Sequence, residues 1–371
     1  MTIIFSIVIL LVAIHVMRKC ASSFDIAASY LTRNLGEGIK GPTINAVASS
    51  LPELLISSMF LFYFKDIKGF SAGYGTIIGS SAFNIALIPV ISFVYLYVTK
   101  GKAKVFQINK RIVKQDALFL LGSISILSLG FFIGVNFYLA LLLILFYFVY
   151  IFYVFKTRVD KKDKKFIKNH NLKLSDKITH VEAGSFLSSV FNFKLFRIFF
   201  KGNVTSLTST LVVLISVFII GGSCYLLVLA TENISHILGI NLFFGAFIIA
   251  AIASSIPDTI FSIQDAKNDK FIDSFSNAYG SNIFDICIGI GLPVLVYSSI
   301  YGPINMNMPI ERIGWIGDSV LGGNLFMWSL LILSFFTALV SLVYYKRNLT
   351  LKSAVLIFLL YLSFIITLLI F

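Results

Sequence analysis

Charged residues are scarce in this chain, and acidic residues are the scarcest. Of its 371 residues, 13% are charged and 58% are hydrophobic, and 17 Asp and Glu stand against 30 Lys and Arg. A soluble domain of average composition has about 25% charged residues, so this composition excludes an ordinary soluble domain. The apolar residues come in runs long enough to cross a bilayer, which takes about 20 residues per helix. We therefore predict an all-α membrane protein.

Cysteine is also rare, and basic residues are confined to loops. The three cysteines, Cys20, Cys224 and Cys287, form no Cys-x-x-Cys pair. An odd number within apolar segments is typical of small core residues, not of a disulfide framework or a zinc site. The net charge is +13, but most of the Lys and Arg lie in short loops, which is the distribution that the positive-inside rule produces. We therefore expect the lipid bilayer as a partner and no nucleic acid.

Ten runs of the sequence are long and apolar enough to form transmembrane helices. They lie at about 2–18, 36–63, 71–98, 115–133, 137–155, 208–230, 240–266, 271–299, 324–345 and 350–371. The first run is followed by Arg18 and Lys19, whereas a cleavable signal peptide has its basic residues before the apolar stretch. We interpret it as a retained helix with its N-terminus outside.

The loops alternate in charge along the chain. Those after odd-numbered spans are basic, and the longest carries Lys161, Lys162, Lys164 and Lys165, whereas the other loops are almost neutral. Because basic loops stay in the cytoplasm, we predict an integral protein of the plasma membrane with external N- and C-termini.

The longest basic loop divides the spans into two groups. We expect a first repeat of five transmembrane helices at 1–155, a basic cytoplasmic loop at 156–207, and a second repeat of five helices at 208–371. Residues 186–201 of the loop are aromatic with interspersed cations. This pattern indicates either a helix in the membrane interface or a loop packed over the bundle.

Two motifs occur once in each half of the chain, in the same order. The stretch from Ala46 to Glu53, AVASSLPE, matches AIASSIPD, which ends at Asp258, and five of the eight positions are identical. The stretch GSSAFNI from Gly79 matches GSNIFDI from Gly280. The first motif lies on spans 2 and 7, so its two copies cross the membrane in opposite senses. This arrangement predicts two inverted repeats, and such folds bind their cargo near the bilayer midplane.

Three acidic residues, Glu53, Asp258 and Asp285, lie deep in the predicted spans, with no Lys or Arg at the same depth. A charged side chain at the bilayer centre costs at least about 2.5–3.5 kcal/mol. Without basic partners, these acids are either protonated or neutralised by bound cations. We favour cation binding, because Pro52 and Pro257 directly precede two of the acids and are expected to bend their helices around a common cavity.

The same motifs supply many neutral oxygen atoms. Bends at the prolines would place the serines of the first motif around the cavity, namely Ser49, Ser50, Ser254 and Ser255. In the second motif, the pairs Ser80 with Asn84 and Ser281 with Asp285 are spaced i,i+4, so each pair shares a helix face. Hydrogen bonding between helices is the alternative role for these Ser and Asn side chains. An all-oxygen ligand set favours calcium and sodium over zinc or copper.

At these motifs the sequence resembles the calcium/cation antiporter superfamily, of sodium/calcium exchanger type. The stretches ASSLPELLISS and ASSIPDTIFS resemble its two α-repeat signatures, and the stretches at 75–85 and 279–294 resemble the potassium-dependent sodium/calcium exchanger branch. The resemblance implies a central cluster of four cation sites in which Glu53 and Asp258 are ligands shared by calcium and sodium. It further implies the following contributors: side chains of Ser49, Ser50, Ser80, Asn84, Ser254, Ser255, Ser281 and Asp285, and main-chain carbonyls of Ala46 and Ala251.

We therefore expect a secondary active antiporter that is not an enzyme and has no cofactor. It would exchange sodium for calcium, and an Asp at position 285 favours additional potassium transport within the family it resembles. The alternative functions are a proton-coupled or other divalent cation antiporter of the same superfamily, and a passive cation channel. An intramembrane aspartyl protease expects a Gly-x-Gly-Asp motif, and Gly317-Asp318 lacks the first glycine.

Overall fold

The computed structural model describes residues 2–33, 39, 41–100, 108–158, 185–268, 270–305 and 322–370. The lysine cluster at 161–165 and the Gly317-Asp318 pair lie outside these ranges. Over the described ranges the chain is helical, and its one β-type contact is an isolated bridge between Val135 and Ile304. The prediction of an all-α chain is confirmed.

The helices follow one another closely along the chain. In order they are α1 (Ile3–Leu31), a π-helical segment (Gly41–Asn45), α2 (Ala46–Ser49), α3 (Leu51–Phe64), α4 (Ile67–Lys100), α5 (Lys110–Ser128), α6 (Gly130–Ile133), α7 (Phe137–Arg158), α8 (Phe186–Phe191), α9 (Leu195–Phe200), α10 (Ser206–Leu238), α11 (Leu242–Gly245), a π-helical segment (Ala246–Ala250), α12 (Ala251–Ser254), α13 (Ile256–Lys267), α14 (Phe271–Phe284), a π-helical segment (Asp285–Ile290), α15 (Gly291–Tyr301), α16 (Gly322–Lys346) and α17 (Leu351–Ile370).

Eight helical stretches are long and apolar enough to cross a membrane, counted over the described part of the chain. A bent pair, Pro42–Ser49 with Leu51–Phe64, is a ninth candidate and bends by 45° at its break. The predicted span at 115–133 forms α5 and α6, but α5 begins with Lys110, Arg111 and Lys114. These charges, together with Asp116, make it too polar to count as a membrane-spanning helix by composition. The predicted number of ten spans is therefore not reached.

The predicted end of the first span at residue 18 is wrong. Helix α1 continues to Leu31, so Arg18 and Lys19 lie within it and not in a loop. The reason is local, because residues 19–31 contain no Gly or Pro to end a helix. The Lys19 ammonium group donates a hydrogen bond to the Asn192 side-chain oxygen at 2.6 Å.

The aromatic stretch at 186–201 forms two short helices, α8 and α9, beside α1. The Ser23 hydroxyl donates to the Phe193 carbonyl at 2.6 Å and accepts from the Leu195 amide at 3.1 Å. Leu195 and Phe196 are buried, whereas Phe186 and Phe191 are about 70% exposed (68% and 71%). The segment therefore has a face packed on the bundle and an apolar face directed away from it.

The first motif adopts the same unusual structure in both halves of the chain. In each copy, a π-helical segment leads into a four-residue α-helix, the helix breaks at a serine, and a new helix begins with proline at its start. The breaks fall at Ser50 and Ser255, which have similar backbone angles (φ −86° and ψ 6°, φ −76° and ψ 0°). Proline suits the first turn of a helix, where its missing N–H group leaves no partner unsatisfied.

The two copies also pack on each other reciprocally. Gly280 lies against Pro42, and a methyl group on Gly280 would lie 2.6 Å from the Pro42 Cα atom. Gly79 lies against Phe247 in the same way, and a methyl group there would collide with the Phe247 carbonyl oxygen. Gly79 corresponds to Gly280 in the second motif, and Pro42 corresponds to Phe247 in the register of the first motif. The second motif of each half therefore touches the first motif of the other half.

A buried ion pair joins α5 to the end of α7. Arg158 Nη2 lies 2.5 Å from Asp116 Oδ1, and the two side chains are 5% and 0% exposed. The Tyr150 hydroxyl donates to the same carboxylate oxygen at 3.3 Å, and Arg158 Nη1 donates to Ser276 Oγ of α14 at 3.4 Å. Asp116 is thus another buried acid, near the start of a predicted span, and it has a basic partner.

We expect Arg158→Gln to lower the free energy of unfolding by about 3–5 kcal/mol, because it leaves the Asp116 charge buried without its cation. Adding Asp116→Asn should recover part of the loss, because neither charge then remains. Thermal unfolding of the purified protein in detergent measures both effects. Lys156→Gln, an exposed position on the same helix end, is the matched control, and an equal loss in that variant would contradict this assignment.

Candidate cation site

The helix breaks place two acids at equivalent positions. Glu53 lies in the first turn of α3 and Asp258 in the first turn of α13, and both side chains are completely buried. A helix N-terminus carries a partial positive charge that favours a nearby carboxylate. At each break the serine amide donates to an alanine carbonyl, from Ser50 to Ala46 at 2.9 Å and from Ser255 to Ala251 at 3.1 Å.

Asp258 is surrounded by hydrogen-bond donors from both halves of the chain. Its Oδ1 atom accepts from Ser281 Oγ at 2.5 Å and from Ser49 Oγ. Its Oδ2 atom accepts from Asn84 Nδ2 at 3.4 Å. The Ser49 and Ser281 hydroxyl oxygens are 3.3 Å apart, so both hydroxyl groups meet at the same carboxylate oxygen.

Glu53 has the corresponding surroundings. Its Oε1 atom accepts from Ser80 Oγ at 3.2 Å, and Ser254 lies beside its carboxylate. Ser80 is the counterpart of Ser281, and Ser254 is the counterpart of Ser49. Each acid is therefore contacted by one serine of its own half and by one serine of the other half, as expected for two halves related by an approximate two-fold axis.

Asn84 and Ser80 join the two acids. Asn84 Nδ2 donates to both Asp258 Oδ2 and Ser80 Oγ, the latter at 3.2 Å. The Ser255 hydroxyl donates to Ser80 Oγ at 3.0 Å. These contacts connect Glu53 and Asp258 through a continuous set of hydroxyl and amide groups.

Asp285 is the third acid of the cluster. It is completely buried and is the first residue of a π-helical segment. It interacts electrostatically with Glu53 and Asp258 and lies beside Ser50 and Ser80. Neither of its carboxylate oxygens has a hydrogen-bond partner among the described residues. The structure thus brings the predicted acid, serine and asparagine side chains into one contiguous cluster.

Several oxygen atoms of this cluster have no hydrogen-bond partner within the described ranges. They are Ser50 Oγ, Glu53 Oε2, Asn84 Oδ1, Asp285 Oδ1 and Asp285 Oδ2. Buried polar atoms are normally paired, and no basic side chain of the described residues pairs with the three acids. The unpaired atoms are oxygens, the donor type that calcium and sodium require.

The acids alone do not form a metal centre. Among the described residues, no three Asp, Glu, His or Cys side chains are close enough to hold one metal ion by themselves. A bound cation would therefore need the serine and asparagine oxygens as well. The predicted carbonyl ligands are engaged by neighbouring serines: the Ala251 carbonyl accepts from Ser254 Oγ at 3.1 Å and from Ser255 Oγ at 2.9 Å.

Three polar residues beside the cluster were not identified from the sequence. Asn45, Asp265 and Asn277 are buried next to the α13 side of the site. Spacing in the sequence could have indicated two of them, because Asn45 precedes Ser49 by one turn and Asn277 precedes Ser281 by one turn. Asparagine is common in helix interfaces, so the spacing alone did not separate these residues from packing contacts.

The sequence model of the family described as "Sodium/calcium exchanger protein" matches residues 5–156 and 208–370 of this chain. The chain belongs to this exchanger family. The match omits residues 157–207, which are all but the first residue of the predicted central loop, and includes both copies of each motif. The predicted resemblance to the superfamily, sodium/calcium exchanger type, is confirmed.

Named relatives of this exchanger match over shorter stretches. Sodium/potassium/calcium exchanger 2 of Gallus gallus is 34% identical over 85 residues, which are 22% of this chain and 13% of that protein. Sodium/potassium/calcium exchanger Nckx30C of Drosophila melanogaster is 41% identical over 58 residues, which are 15% of this chain and 7% of that protein. The chain thus spans only a small part of the length of these relatives.

Solved exchanger structures share the fold over almost the whole chain. The sodium-calcium exchanger NCX_Mj, soaked with 2.5 mM Na⁺ and 10 mM Sr²⁺, has a TM-score of 0.59 and 17% identity, with 99% of both chains covered. The H⁺/Ca²⁺ exchanger CAX has a TM-score of 0.60 and 15% identity, with 98% of this chain and 87% of that chain covered. At such identities the likeness concerns the fold alone.

Proposed function

We propose that this chain is a secondary active antiporter that exchanges sodium for calcium across a membrane. The observation that carries the proposal is the buried cluster of Glu53, Asp258 and Asp285, which has unpaired oxygens and no basic partner among the described residues. Three negative charges at membrane depth are costly unless cations neutralise them. Either one calcium ion with one monovalent cation or three sodium ions would balance the three negative charges. The two sets of ions therefore cannot be bound at the same time.

The proposed mechanism is alternating access around this cluster. In it, ten transmembrane helices form two inverted five-helix repeats, at 1–155 and 208–371, on either side of a cytoplasmic loop at 156–207. The repeated break at Ser50 and Ser255 and the reciprocal contacts of Gly79 and Gly280 support two related halves. Movement of one half against the other would expose the cluster to each side in turn. The alternation of loop charge supports external termini, and we propose the plasma membrane as the location.

Flux through proteoliposomes tests the function. Vesicles loaded with sodium and diluted into sodium-free medium containing ⁴⁵Ca²⁺ should accumulate calcium, and vesicles without a sodium gradient should not. Uptake driven by a pH gradient alone would instead identify proton-coupled exchange, the activity named for the fold neighbour CAX. A sustained single-channel current would identify a passive channel. Either of these results, without sodium-driven uptake, overturns the proposal.

Potassium is the proposed additional ion, and Asp285 is the residue that we assign to it. The names of the matched relatives include potassium, and both Asp285 carboxylate oxygens have no hydrogen-bond partner in the described part of the chain. We expect potassium on the calcium side to stimulate exchange in the unmodified protein. In Asp285→Asn, exchange should continue and this stimulation should disappear, because the amide removes the charge that the additional monovalent ion balances. Calcium uptake with potassium or with choline as the accompanying cation measures the effect, and full stimulation in the variant would contradict the assignment.

A further inference from the structure

A line of buried polar side chains leads from Asp258 toward the turn between α13 and α14. Asn277 Nδ2 donates to the Asp258 main-chain carbonyl at 3.4 Å and to Ser262 Oγ at 3.2 Å. One turn further along α13, Asn45 Nδ2 donates to Asp265 Oδ2 at 2.7 Å. We refer to Asn45, Ser262, Asp265 and Asn277 as the α13 track. All four side chains are buried, with at most 5% exposure.

The α13 track directly adjoins the central cluster. Asn45 lies on the π-helical segment between Pro42, which packs against Gly280, and Ser49, which contacts Ser281. Asn277 is on α14, one turn before Ser281. The chain around Asn45 and Ser49, α13 and α14 therefore carry residues of both the track and the cluster, and the Asp258 main-chain carbonyl contacts the track through Asn277.

Two oxygens of the track are unpaired in the described ranges, namely Asn45 Oδ1 and Asn277 Oδ1. The orientation of both amides is fixed chemically, because a carboxylate or a main-chain carbonyl accepts only from the NH₂ group. The atoms left over are therefore acceptors. The amide of Asn45 contacts the Asp265 carboxylate and that of Asn277 contacts Ser262, one turn away on α13, so the two unpaired acceptors lie along the same part of α13, where a positive ligand would satisfy them.

The amide and carboxylate groups of the track have no equivalent on the other side of the cluster, although Ser262 corresponds to Ser57. In the register of the two motifs, Ala250 corresponds to Asn45, Phe60 to Asp265 and Thr76 to Asn277. Ala250, Phe60 and Thr76 are also buried, but they offer no carboxylate or amide oxygen. Helix packing that is common to both sides of the cluster does not require this difference in polarity. The difference between the two sides therefore indicates a role of the track on one membrane face.

We propose that the α13 track is a second cation-binding site, which a transported calcium or sodium ion occupies between the central cluster and the face at Asn268. Asn45 Oδ1, Asn277 Oδ1 and the Asp265 carboxylate are its ligands. This second site adds a binding step to the proposed antiport function and depends on it. Because the second site lies on one side of the central cluster only, the routes from the cluster to the two membrane faces differ. The half-saturating calcium concentrations at the two faces therefore depend on different residues.

The test compares Asn45→Ala with Asn45→Asp in vesicles of both orientations. Asn45→Ala reproduces the residue at the equivalent position, Ala250, and removes one ligand. Asn45→Asp adds a carboxylate beside Asp265. The measured quantity is the half-saturating calcium concentration for sodium-driven ⁴⁵Ca²⁺ transport from each face. A cysteine introduced at the exposed Asn268 identifies the face in question, because the natural cysteines, Cys20, Cys224 and Cys287, are buried.

At the face of Asn268, Asn45→Ala should raise the half-saturating calcium concentration about tenfold, a typical loss when one group around a metal is removed. Asn45→Asp should lower it, and both variants should leave the value at the opposite face unchanged. Equal shifts at both faces, or the same direction of change in both variants, would show a structural role and overturn the site. If the unmodified protein transports no calcium under a sodium gradient, the antiport proposal itself fails, which is a distinct result.

Discussion

Glu53→Gln should reduce sodium-driven calcium uptake by at least about 100-fold, since even outer-shell groups around metals contribute about 10- to 100-fold in affinity. The amide keeps the size of the side chain and removes its charge. Glu53 Oε2 has no hydrogen-bond partner among the described residues, so the substitution breaks no hydrogen bond at that atom. The loss would therefore reflect lost cation binding. Uptake of ⁴⁵Ca²⁺ into proteoliposomes, corrected for reconstituted protein, measures it.

Glu232→Gln is the matched control for this prediction. Glu232 lies on α10 and is partly buried, and His236 follows it one turn later on the same helix. The same chemical change there should leave uptake within about twofold of the unmodified protein, because Glu232 lies outside the cluster and substitutions away from such features usually have small effects. Normal uptake by Glu53→Gln would remove Glu53 from the site. An equal loss in both variants would point to a general requirement for acidic residues and not to this cluster.

Gly79→Ala and Gly280→Ala should each abolish most transport and lower the free energy of unfolding by about 1–3 kcal/mol, the usual cost of overpacking. At Gly280 the added methyl group would lie 2.6 Å from Pro42 Cα and 2.7 Å from the Pro42 carbonyl oxygen. These neighbours are backbone atoms that cannot turn away. The contact joins the second motif of one half to the first motif of the other, so any displacement moves Ser80 or Ser281 relative to the acids.

The control for the glycine variants is Gly222→Ala on α10. A methyl group at Gly222 meets no atom within 4 Å, and alanine is the better helix former by about 1 kcal/mol. This variant should be as stable as the unmodified protein or more stable, with unchanged transport. Thermal unfolding and ⁴⁵Ca²⁺ uptake measure all three variants. Unimpaired uptake in Gly79→Ala or Gly280→Ala would contradict the proposed close packing of the two halves.

The cluster was predictable because isolated charge in an apolar sequence has few explanations. Glu53, Asp258 and Asp285 were identified by depth alone, and the repeated motifs indicated which residues should meet. The structure places the three acids together. The contacts between the two halves around them involve Ser49, Ser80, Ser254, Ser255 and Ser281. Their roles as ligands remain predictions, which the variants above test.

Other features depend on contacts that a sequence does not display. The apolar pattern of the first span ends near residue 18, but α1 continues to Leu31 because nothing stops it and buried residues such as Cys20 and Phe24 pack its far end. The π-helical segment at Asp285–Ile290 has no composition signal, because hydrogen-bond register is set by packing. Asp116 lies near the end of a basic helix, and its pairing with Arg158 joins residues 42 positions apart.

Calcium and sodium are proposed to bind in turn to the same carboxylates. Equilibrium binding of ⁴⁵Ca²⁺ to the purified protein in detergent tests this most directly, at increasing sodium concentrations and in the variant that combines Glu53→Gln with Asp258→Asn. We expect saturable calcium binding that sodium displaces competitively, and none of this binding in the double variant. Calcium binding that sodium does not displace, or that persists unchanged in the double variant, would contradict it.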